Sequence, residues 1–213
     1  MTQNKSSAVM SQRQSSIHEL DDYPTPHWAT EAILEKLQIG RGTTIYDPAC
    51  GRGYMVSVFN EKAVGFGSDV HDYGAGYPLR EFLGQIRVYD GTMDWLITNP
   101  PFKLAQQFAI NMIRECRVGA AILVRTSFLE TIGRYEFFQQ HPPAAVYQFA
   151  ERVPMVKARL DAKVSTATAY CWIIWIKDQP VEDTILRWLA PCRKRLVKPG
   201  DYPEELELEE MLS

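Results

Sequence analysis

The chain has 213 residues, of which 46% are apolar and 23% charged, so it is long enough for one well-buried domain and short for two. Neither end contains an apolar run of the roughly 20 residues that cross a bilayer, and Met1 to Ser16 is polar, which argues against a membrane protein and a secretory signal. We therefore expect a cytoplasmic protein. The four cysteines lie far apart without zinc-ligand spacing, so we expect reduced, mostly buried thiols and no metal site.

Acidic residues are concentrated at the C-terminus. The formal net charge is -3, but Asp201 to Ser213 contributes six acidic side chains and no basic one, so the remainder is mildly basic. A mildly basic domain is compatible with nucleic-acid binding without being diagnostic of it. Residues 1–20 are rich in Ser and Gln and poor in apolar groups. We predict a flexible segment over 1–20, a folded domain over 21–200 and an acidic tail over 201–213.

Beyond the N-terminal segment, apolar runs of strand length alternate with helix-like stretches. Helical periodicity predicts helices after Pro26 through Leu37, from Leu104 to Arg114 and from Arg134 to Gln140. The predicted strands are Thr43 to Tyr46, Ala63 to Ser68, Trp95 to Thr98, Ala120 to Val124 and Ala144 to Phe149. This alternation predicts an α/β fold with a mostly parallel sheet, helices on both faces and sites at the carboxyl ends of the strands.

One further apolar run lies near the C-terminus. Thr166 to Ile176 follows Ala144 to Phe149 without an obvious helix between them. Antiparallel strands need no crossover helix, so we expect these two runs to form an antiparallel hairpin at the edge of the sheet.

The first predicted strand leads into a turn that contains two glycines, Gly51 and Gly53. Glycines there allow a tight turn and a close approach of the backbone to a ligand. A nicotinamide-dinucleotide site is disfavoured because Val56 stands where that fingerprint has its third glycine. The second predicted strand ends at Asp69, whose carboxylate could accept both ribose hydroxyls of an adenosine-containing ligand, with Asp72 as a weaker competitor. These features predict a nucleoside cofactor.

The third predicted strand runs directly into Asn99, Pro100, Pro101 and Phe102. Two prolines cannot belong to a central strand, and they stiffen the backbone at the carboxyl end of the sheet. The side-chain oxygen of Asn99 and the carbonyl of Pro100 could accept both hydrogens of an arylamine such as N6 of adenine, directing its lone pair toward a methyl donor without a general base. Phe102 would stack on the base, which must be single-stranded or flipped out of a duplex. The alternative interpretation is a stiff turn with an Asn cap.

Taken together, these motifs resemble those of the class I S-adenosylmethionine-dependent amino-methyltransferases, and more narrowly those of small adenine-N6 DNA methyltransferases of bacteriophages and prophages. The similarity rests on the following segments: Asp47 to Gly53, Asp69, Asn99 to Phe102, Tyr23 to Pro26, Arg125 to Glu130, and Glu151 to Met155 continuing to Trp175. The resemblance implies a Rossmann-like fold with a seven-stranded sheet, and base capture by Asn99 to Phe102.

The same resemblance implies S-adenosyl-L-methionine as the cofactor. The cofactor-binding residues that it implies are Tyr23, Thr25, Pro26, Asp47, Ala49, Gly51, Gly53, Asp69, Val70 and Phe82. The chain departs from the family in having Glu81, Phe82 and Leu83 where Asp-Phe-Leu is common. We also expect no separate target-recognition domain, and therefore relaxed specificity or specificity that resides in loops.

Basic residues follow the strand that ends at Phe149. We expect phosphate contacts from Arg152, Lys157, Arg159 and Lys163, and the alternative is a solvated surface loop. A denser basic cluster neighbours the acidic tail and could pair with it: Arg193, Lys194, Arg195 and Lys198.

The predicted function is methyl transfer from S-adenosylmethionine to N6 of adenine in DNA. Two alternatives keep the chemistry and change the substrate, to adenine in RNA or to the side-chain amide of a protein glutamine. A third alternative is a module that binds the cofactor or a nucleic acid without catalysis. The sequence predicts neither the target site nor the oligomeric state.

Overall fold

The structure is a computed structural model that describes residues 21–84, 92–164 and 166–202. The predicted segment 1–20 and the part of the acidic tail after residue 202 lie outside the described residues. The strands are β1 (Thr44–Asp47), β2 (Val64–Gly67), β3 (Trp95–Thr98), β4 (Gly119–Arg125), β5 (Ala145–Phe149), β6 (Tyr170–Ile176) and β7 (Ile185–Leu189). The helices are α1 (His27–Leu37), α2 (Tyr54–Lys62), α3 (Ala105–Glu115), α4 (Ile132–Gln140) and α5 (Arg193–Leu196), with a 3₁₀ turn at Thr126–Leu129.

The seven strands form one sheet in the order β2-β1-β3-β4-β6-β5-β7. The pairs among β2, β1, β3 and β4 are parallel, β6 is antiparallel to β4 and β5, and β7 is parallel to β5. Six strands therefore share one direction, and their carboxyl ends meet at one edge of the sheet. The prediction of a mostly parallel seven-stranded sheet is confirmed.

The antiparallel pairing of β5 with β6 is also confirmed, but its predicted place at the sheet edge is wrong. β6 lies between β4 and β5, and β7 occupies the edge. Strand β7, Ile185–Leu189, was not predicted because its sequence does not alternate between apolar and polar residues. In the structure, its first four residues are all exposed.

Helices cover both faces of the sheet because the side chains of the central strands alternate between two buried layers. Ile97 and Leu123 pack in the layer that includes Trp28 of α1 and residues of α2. Leu96 and Ile122 pack in the opposite layer with residues of α3 and α4. Strands buried on both faces have continuous apolar sequences, which is why β3 and β4 were predictable from composition.

The helix α2 was not predicted. It begins at Tyr54, directly after the glycine turn, and it is only nine residues long. Its buried side chains include two β-branched valines, Val56 and Val58, which favour strands over helices. The helix forms because Met55, Val56, Val58 and Phe59 are buried there against the sheet and α1.

Within the described ranges, no helix combines the length and apolarity that crossing a membrane requires. In the same part of the chain, no group of three or more His, Cys, Asp or Glu side chains is arranged to hold a metal ion. The four cysteines are buried and free, which confirms the prediction of buried thiols.

The beginning of the acidic tail contacts α1. Asp201 accepts a hydrogen bond from His27 through its backbone oxygen, with Nδ1 at 3.2 Å. The Trp28 Nε1–H donates to the Tyr202 hydroxyl at 3.2 Å. These two tail residues therefore belong to the packed domain, beyond the predicted boundary at residue 200.

The basic cluster around α5 pairs with acids of α1 and α2. Arg195 forms two hydrogen bonds with the Glu35 carboxylate, at 2.8 and 2.7 Å. Lys198 forms ion pairs with Glu31 and Glu61. Within the tail predicted over 201–213, Asp201 accepts a hydrogen bond from the Lys198 backbone N–H at 2.7 Å, and the residues after 202 lie outside the described residues.

Candidate active site

A cleft opens at the carboxyl edge of the sheet, where β1 and β3 end. The segment before α1, the turns after β1 and β3, and the loop after β2 form its walls. Most of the predicted cofactor residues line it: Tyr23, Thr25, Asp47, Ala49, Gly51, Asp69, Val70 and Phe82. Pro26 and Gly53 do not belong to the lining; Pro26 is the N-cap residue of α1.

The two glycines of the first turn have left-handed backbone conformations, with φ of 53° at Gly51 and 81° at Gly53. A Cβ atom on Gly51 would meet no atom of the described residues within 4 Å, and Gly51 lines the cleft, so the backbone there faces open space. A Cβ atom on Gly53 would overlap the ring of Tyr77. Gly51 thus leaves room for a ligand, whereas Gly53 accommodates an aromatic side chain of the protein.

Asp69 stands at the end of β2 with only 8% of its surface exposed. Its two carboxylate oxygens accept hydrogen bonds from the backbone N–H groups of Gly51, at 2.9 Å, and His71, at 3.0 Å. These bonds fix the carboxylate at the wall of the cleft, and each oxygen retains a further lone pair. Asp72 is outside the lining and accepts a bond from the Gly74 N–H.

Asp47 lies beneath the glycine turn and is only 1% exposed. One of its oxygens accepts hydrogen bonds from the Thr98 hydroxyl at 2.6 Å and the Ala49 N–H at 3.1 Å. Burial raises the pKa of Asp47 to about 7, although both of these hydrogen bonds oppose the rise. Asp47 thus supports the turn from beneath and also lines the cleft, and its predicted contact with the cofactor stays a prediction.

The side chain of Asn99 is held by the segment before α1. Its Nδ2 donates to the backbone carbonyl of Tyr23 at 2.8 Å, and this bond fixes the orientation of the amide. The Oδ1 atom is buried and has no hydrogen-bond partner within the described residues. A buried acceptor without a donor costs about 1–3 kcal/mol, so its presence beside a cleft points to a ligand that donates a hydrogen bond. The Thr25 hydroxyl, also in the lining, is unpartnered in the same way.

The rest of the tetrapeptide surrounds Asn99. Pro101 lines the cleft with Asn99, and Pro100 is buried. The backbone N–H of Phe102 donates to Asp21 at 2.9 Å, and its ring packs against Tyr23 with the centroids 5.2 Å apart. The turn after β3 is thus tied at two points to the segment before α1.

Arg125 was not among the predicted site residues. It ends β4, and its guanidinium carbon lies 4.0 Å from the centroid of the Phe102 ring. Arg125 could have been predicted as a site residue because it follows a central strand, and sites are expected at the carboxyl ends of such strands. Tyr77 and Thr98 were also missed. Tyr77 packs beside Gly53 and Thr98 donates to Asp47, and no sequence pattern predicts either of these non-local contacts.

The predicted phosphate-binding residues lie in the connection after β5. Arg152 is exposed, and Arg159 forms an ion pair with Asp161 at 3.3 Å. The backbone N–H of Ala158 donates to the carbonyl of Asp22 at 2.8 Å, so the connection reaches the rim of the cleft. Lys157 and Lys163 are exposed in the same segment.

No protein-family profile matches the chain, and no curated protein does. Solved structures match in fold. A class I S-adenosylmethionine-dependent methyltransferase structure from Listeria monocytogenes has a TM-score of 0.55 at 16% identity, over 86% of this chain and 68% of its own.

Two further matches come from type I restriction systems. A methyltransferase subunit from Streptococcus thermophilus has a TM-score of 0.55 at 13% identity, over 89% of this chain and 51% of its own. A modification subunit from Vibrio vulnificus has a TM-score of 0.52 at 17% identity, over 96% of this chain and 55% of its own. The chain spans about half the length of these two subunits. These likenesses show that the chain has the class I methyltransferase fold.

Proposed function

We propose that the protein transfers a methyl group from S-adenosylmethionine to the N6 amino group of adenine in DNA. The observation that carries this proposal is the buried, unpartnered Oδ1 of Asn99. Because Nδ2 is held by the Tyr23 carbonyl, this acceptor is fixed beside the cleft before any substrate binds. An acceptor prepared in this way suits a substrate with an amino or amide N–H group.

The cleft residues fit the proposed cofactor. S-adenosylmethionine supplies an electrophilic methyl group carried by a positively charged sulfur. Asp69 would accept the ribose hydroxyls, and the open space at Gly51 would admit the cofactor close to the backbone. The unpartnered Thr25 hydroxyl would gain a hydrogen-bond partner, and Phe82 would provide an apolar wall for the adenine ring. A bound cofactor would thus account for both the open space at Gly51 and the unpartnered Thr25 hydroxyl.

The residues after β3 would orient the substrate. The lone pair of an arylamine is delocalised into the ring, which makes the nitrogen a poor nucleophile. Acceptance of the two N6 hydrogens by Asn99 Oδ1 and the Pro100 carbonyl would favour a tetrahedral nitrogen with its lone pair free to attack the methyl carbon. The aromatic pair of Tyr23 and Phe102 would contact the base, a type of interaction worth about 1–3 kcal/mol.

DNA is the proposed substrate for two reasons. Two structures with this fold are described as subunits of type I restriction systems, which supports a role in modifying nucleic acid. The target atom of adenine is inaccessible in a duplex, so the base must be extruded. Phe102 lines a groove next to the cleft, and the basic connection after β5 reaches the cleft rim through the Ala158–Asp22 hydrogen bond.

The test is transfer of labelled methyl groups to double-stranded DNA, single-stranded DNA, RNA and protein extract in parallel, with mass spectrometry of the modified nucleosides. We expect N6-methyladenine in DNA. The variant Asn99→Ala should abolish transfer while leaving the cofactor dissociation constant nearly unchanged. The matched control is Asn60→Ala, since Asn60 is an exposed asparagine whose Oδ1 accepts a bond from the Gly65 N–H, and it should retain full transfer.

Each other outcome changes a different part of the proposal. Label in RNA or in a protein glutamine would keep the chemistry and replace the substrate. Tight cofactor binding without transfer to any of the four substrates would indicate a binding module. Full activity of Asn99→Ala would remove the proposed role of the unpartnered oxygen.

A further inference from the structure

A second groove lies beside the cleft, and the turn after β3 separates the two. Asn99 and Pro101 line the cleft, whereas Phe102 lines the groove. Other residues of the groove come from the start of α3, the end of β4, the segment that follows it and the start of α4, and they include Gln106, Arg125, Phe128, Glu130, Thr131 and Arg134. The groove is therefore a direct neighbour of the proposed base-binding residues.

Arg134 is a half-buried cation that lines this groove. Its guanidinium carbon lies 4.0 Å from the centroid of the Phe128 ring, and Nη1 donates to the side-chain oxygen of Gln106. Within ranges 21–84, 92–164 and 166–202, no carboxylate forms an ion pair with it. Burial lowers the pKa of the Arg134 guanidinium, and no nearby negative charge offsets this effect. A desolvated guanidinium held only by neutral groups is well suited to an incoming anion.

Arg125 presents a second guanidinium to the same groove. It stacks on Phe102, and among the described residues it forms no ion pair with a carboxylate. A guanidinium that stacks on an aromatic ring keeps the N–H groups in its own plane available for bidentate bonds to a phosphate. Glu130 is the acid of the lining; it is exposed and forms no ion pair with either arginine.

The backbone between the two arginines is strained. Thr131 has φ 92° and ψ 152°, a region that a β-branched residue rarely adopts. Its hydroxyl accepts a bond from the Arg134 N–H at 3.4 Å, so this conformation is linked to the start of α4. Strain of this kind is kept where the surrounding structure holds it, and it is concentrated at binding sites.

We propose that this groove binds phosphate groups of the nucleic-acid strand that carries the target adenine, through the guanidinium groups of Arg125 and Arg134. The inference rests on the proposed function, because a nucleic-acid substrate is what brings phosphates next to Phe102. Arg125 then contacts both the ring that meets the base and the backbone of the strand.

The experiment measures binding of a short fluorescein-labelled, adenine-containing DNA strand by anisotropy over a range of salt concentrations. Arg125→Gln and Arg134→Gln should each raise the dissociation constant about tenfold. Each should also reduce the slope of log affinity against log salt by about 0.7, the value for one lost phosphate contact on a single strand. The control Arg187→Gln removes an exposed arginine of β7 at the far edge of the sheet and should change neither quantity.

Cofactor titration of the same variants checks that they are folded, since the groove is separate from the cofactor cleft. Unchanged DNA affinity and salt slope in both variants would overturn the proposal, as would an unaltered chain that binds neither DNA nor RNA. Inorganic phosphate could also raise the melting temperature of the unaltered protein but not that of Arg134→Gln, while the DNA affinity of this variant stays unchanged. That result would assign the groove to free anions and would also overturn the proposal. Failure of the proposed function is seen separately, as absence of N6-methyladenine in the transfer assay.

Discussion

The hydroxyl of Thr98 donates a 2.6 Å hydrogen bond to the buried carboxylate of Asp47. Asp47 also accepts from the N–H of Ala49, and Thr98 directly precedes Asn99. One buried carboxylate thus joins the turn after β1 to the turn after β3. The cofactor side and the substrate side of the candidate site are therefore fixed relative to each other by a buried hydrogen bond.

Loss of this bond should destabilise the protein. Thr98→Val removes a donor from a buried carboxylate, and we expect the free energy of unfolding to fall by about 1–3 kcal/mol in urea denaturation. The control is Thr30→Val, because the Thr30 hydroxyl is buried and has no partner among the described residues. That variant should be neutral or stabilising. Equal losses in the two variants would contradict the importance of the Asp47–Thr98 bond.

The ionisation of Asp47 should make stability depend on pH. Its pKa is about 7 in the folded protein against an ordinary value of 3.8, so between these values the folded state holds a proton that the unfolded state has lost. Stability should therefore fall as pH rises from about 4 to about 7 and change no further above this range, with a total effect of at most about 4 kcal/mol.

The variant Asp47→Asn carries no titrating group and should lack this contribution. Its unfolding free energy, measured in urea at several pH values, should match that of the unaltered protein near pH 4 and exceed it near pH 8. Asp72→Asn, at an aspartate with an exposed side chain outside the cleft, is the control. Parallel curves for Asp47→Asn and the unaltered protein would show that the buried carboxyl ionises at its ordinary pKa.

The two glycines of the first turn should respond differently to alanine. Gly53→Ala places a methyl group against the outer atoms of the Tyr77 ring and also keeps the left-handed conformation, so it should lower the melting temperature more than Gly51→Ala does. Gly51→Ala meets no atom of the described residues within 4 Å and should cost only the left-handed conformation, about 1–2 kcal/mol, while its methyl group enters the cleft and weakens cofactor binding. Thermal unfolding and calorimetric titration with S-adenosylmethionine measure both effects. Partial recovery of Gly53→Ala by Tyr77→Ala would identify the overlap as the cause.

Asp69 should be needed for cofactor binding, whereas Asp72 should be dispensable. Asp69→Ala removes the acceptor at the cleft wall and releases the Gly51 N–H, so we expect the cofactor dissociation constant to rise at least about tenfold, the loss of one charge-assisted hydrogen bond. Asp72→Ala should leave it nearly unchanged. A larger effect at Asp72 would mean that the acid of the second strand was assigned wrongly.

Much of the fold could be predicted because its central strands have strong local patterns. Trp95 to Thr98 is a continuous apolar run that ends at two prolines, and both the strand and the turn lie where these features predict. The edge strand β7 and the helix α2 lack such patterns and form through contacts with distant parts of the chain. Their existence is decided by tertiary packing, which local periodicity does not report.

The candidate site was predictable in its residue types but less so in their roles. Asp47 has the spacing of a ligand, yet its 1% exposure and its bonds beneath the turn could be known only from the folded chain. The Tyr77 ring behind Gly53 and the Arg125 guanidinium on Phe102 are likewise non-local contacts. Motif spacing identifies which strand ends meet, but it does not identify which side chains face the ligand.

Tyr23 belongs to both halves of the site: it lines the cofactor cleft, and its carbonyl holds the Asn99 amide. Any movement of this residue on binding one substrate therefore alters the groups that receive the other. Thermodynamic linkage then requires reciprocity, so a cofactor that raises the affinity for the amino-group substrate by some factor must have its own affinity raised by the same factor. A shift of this one backbone carbonyl on binding would therefore make the two binding events energetically dependent on each other.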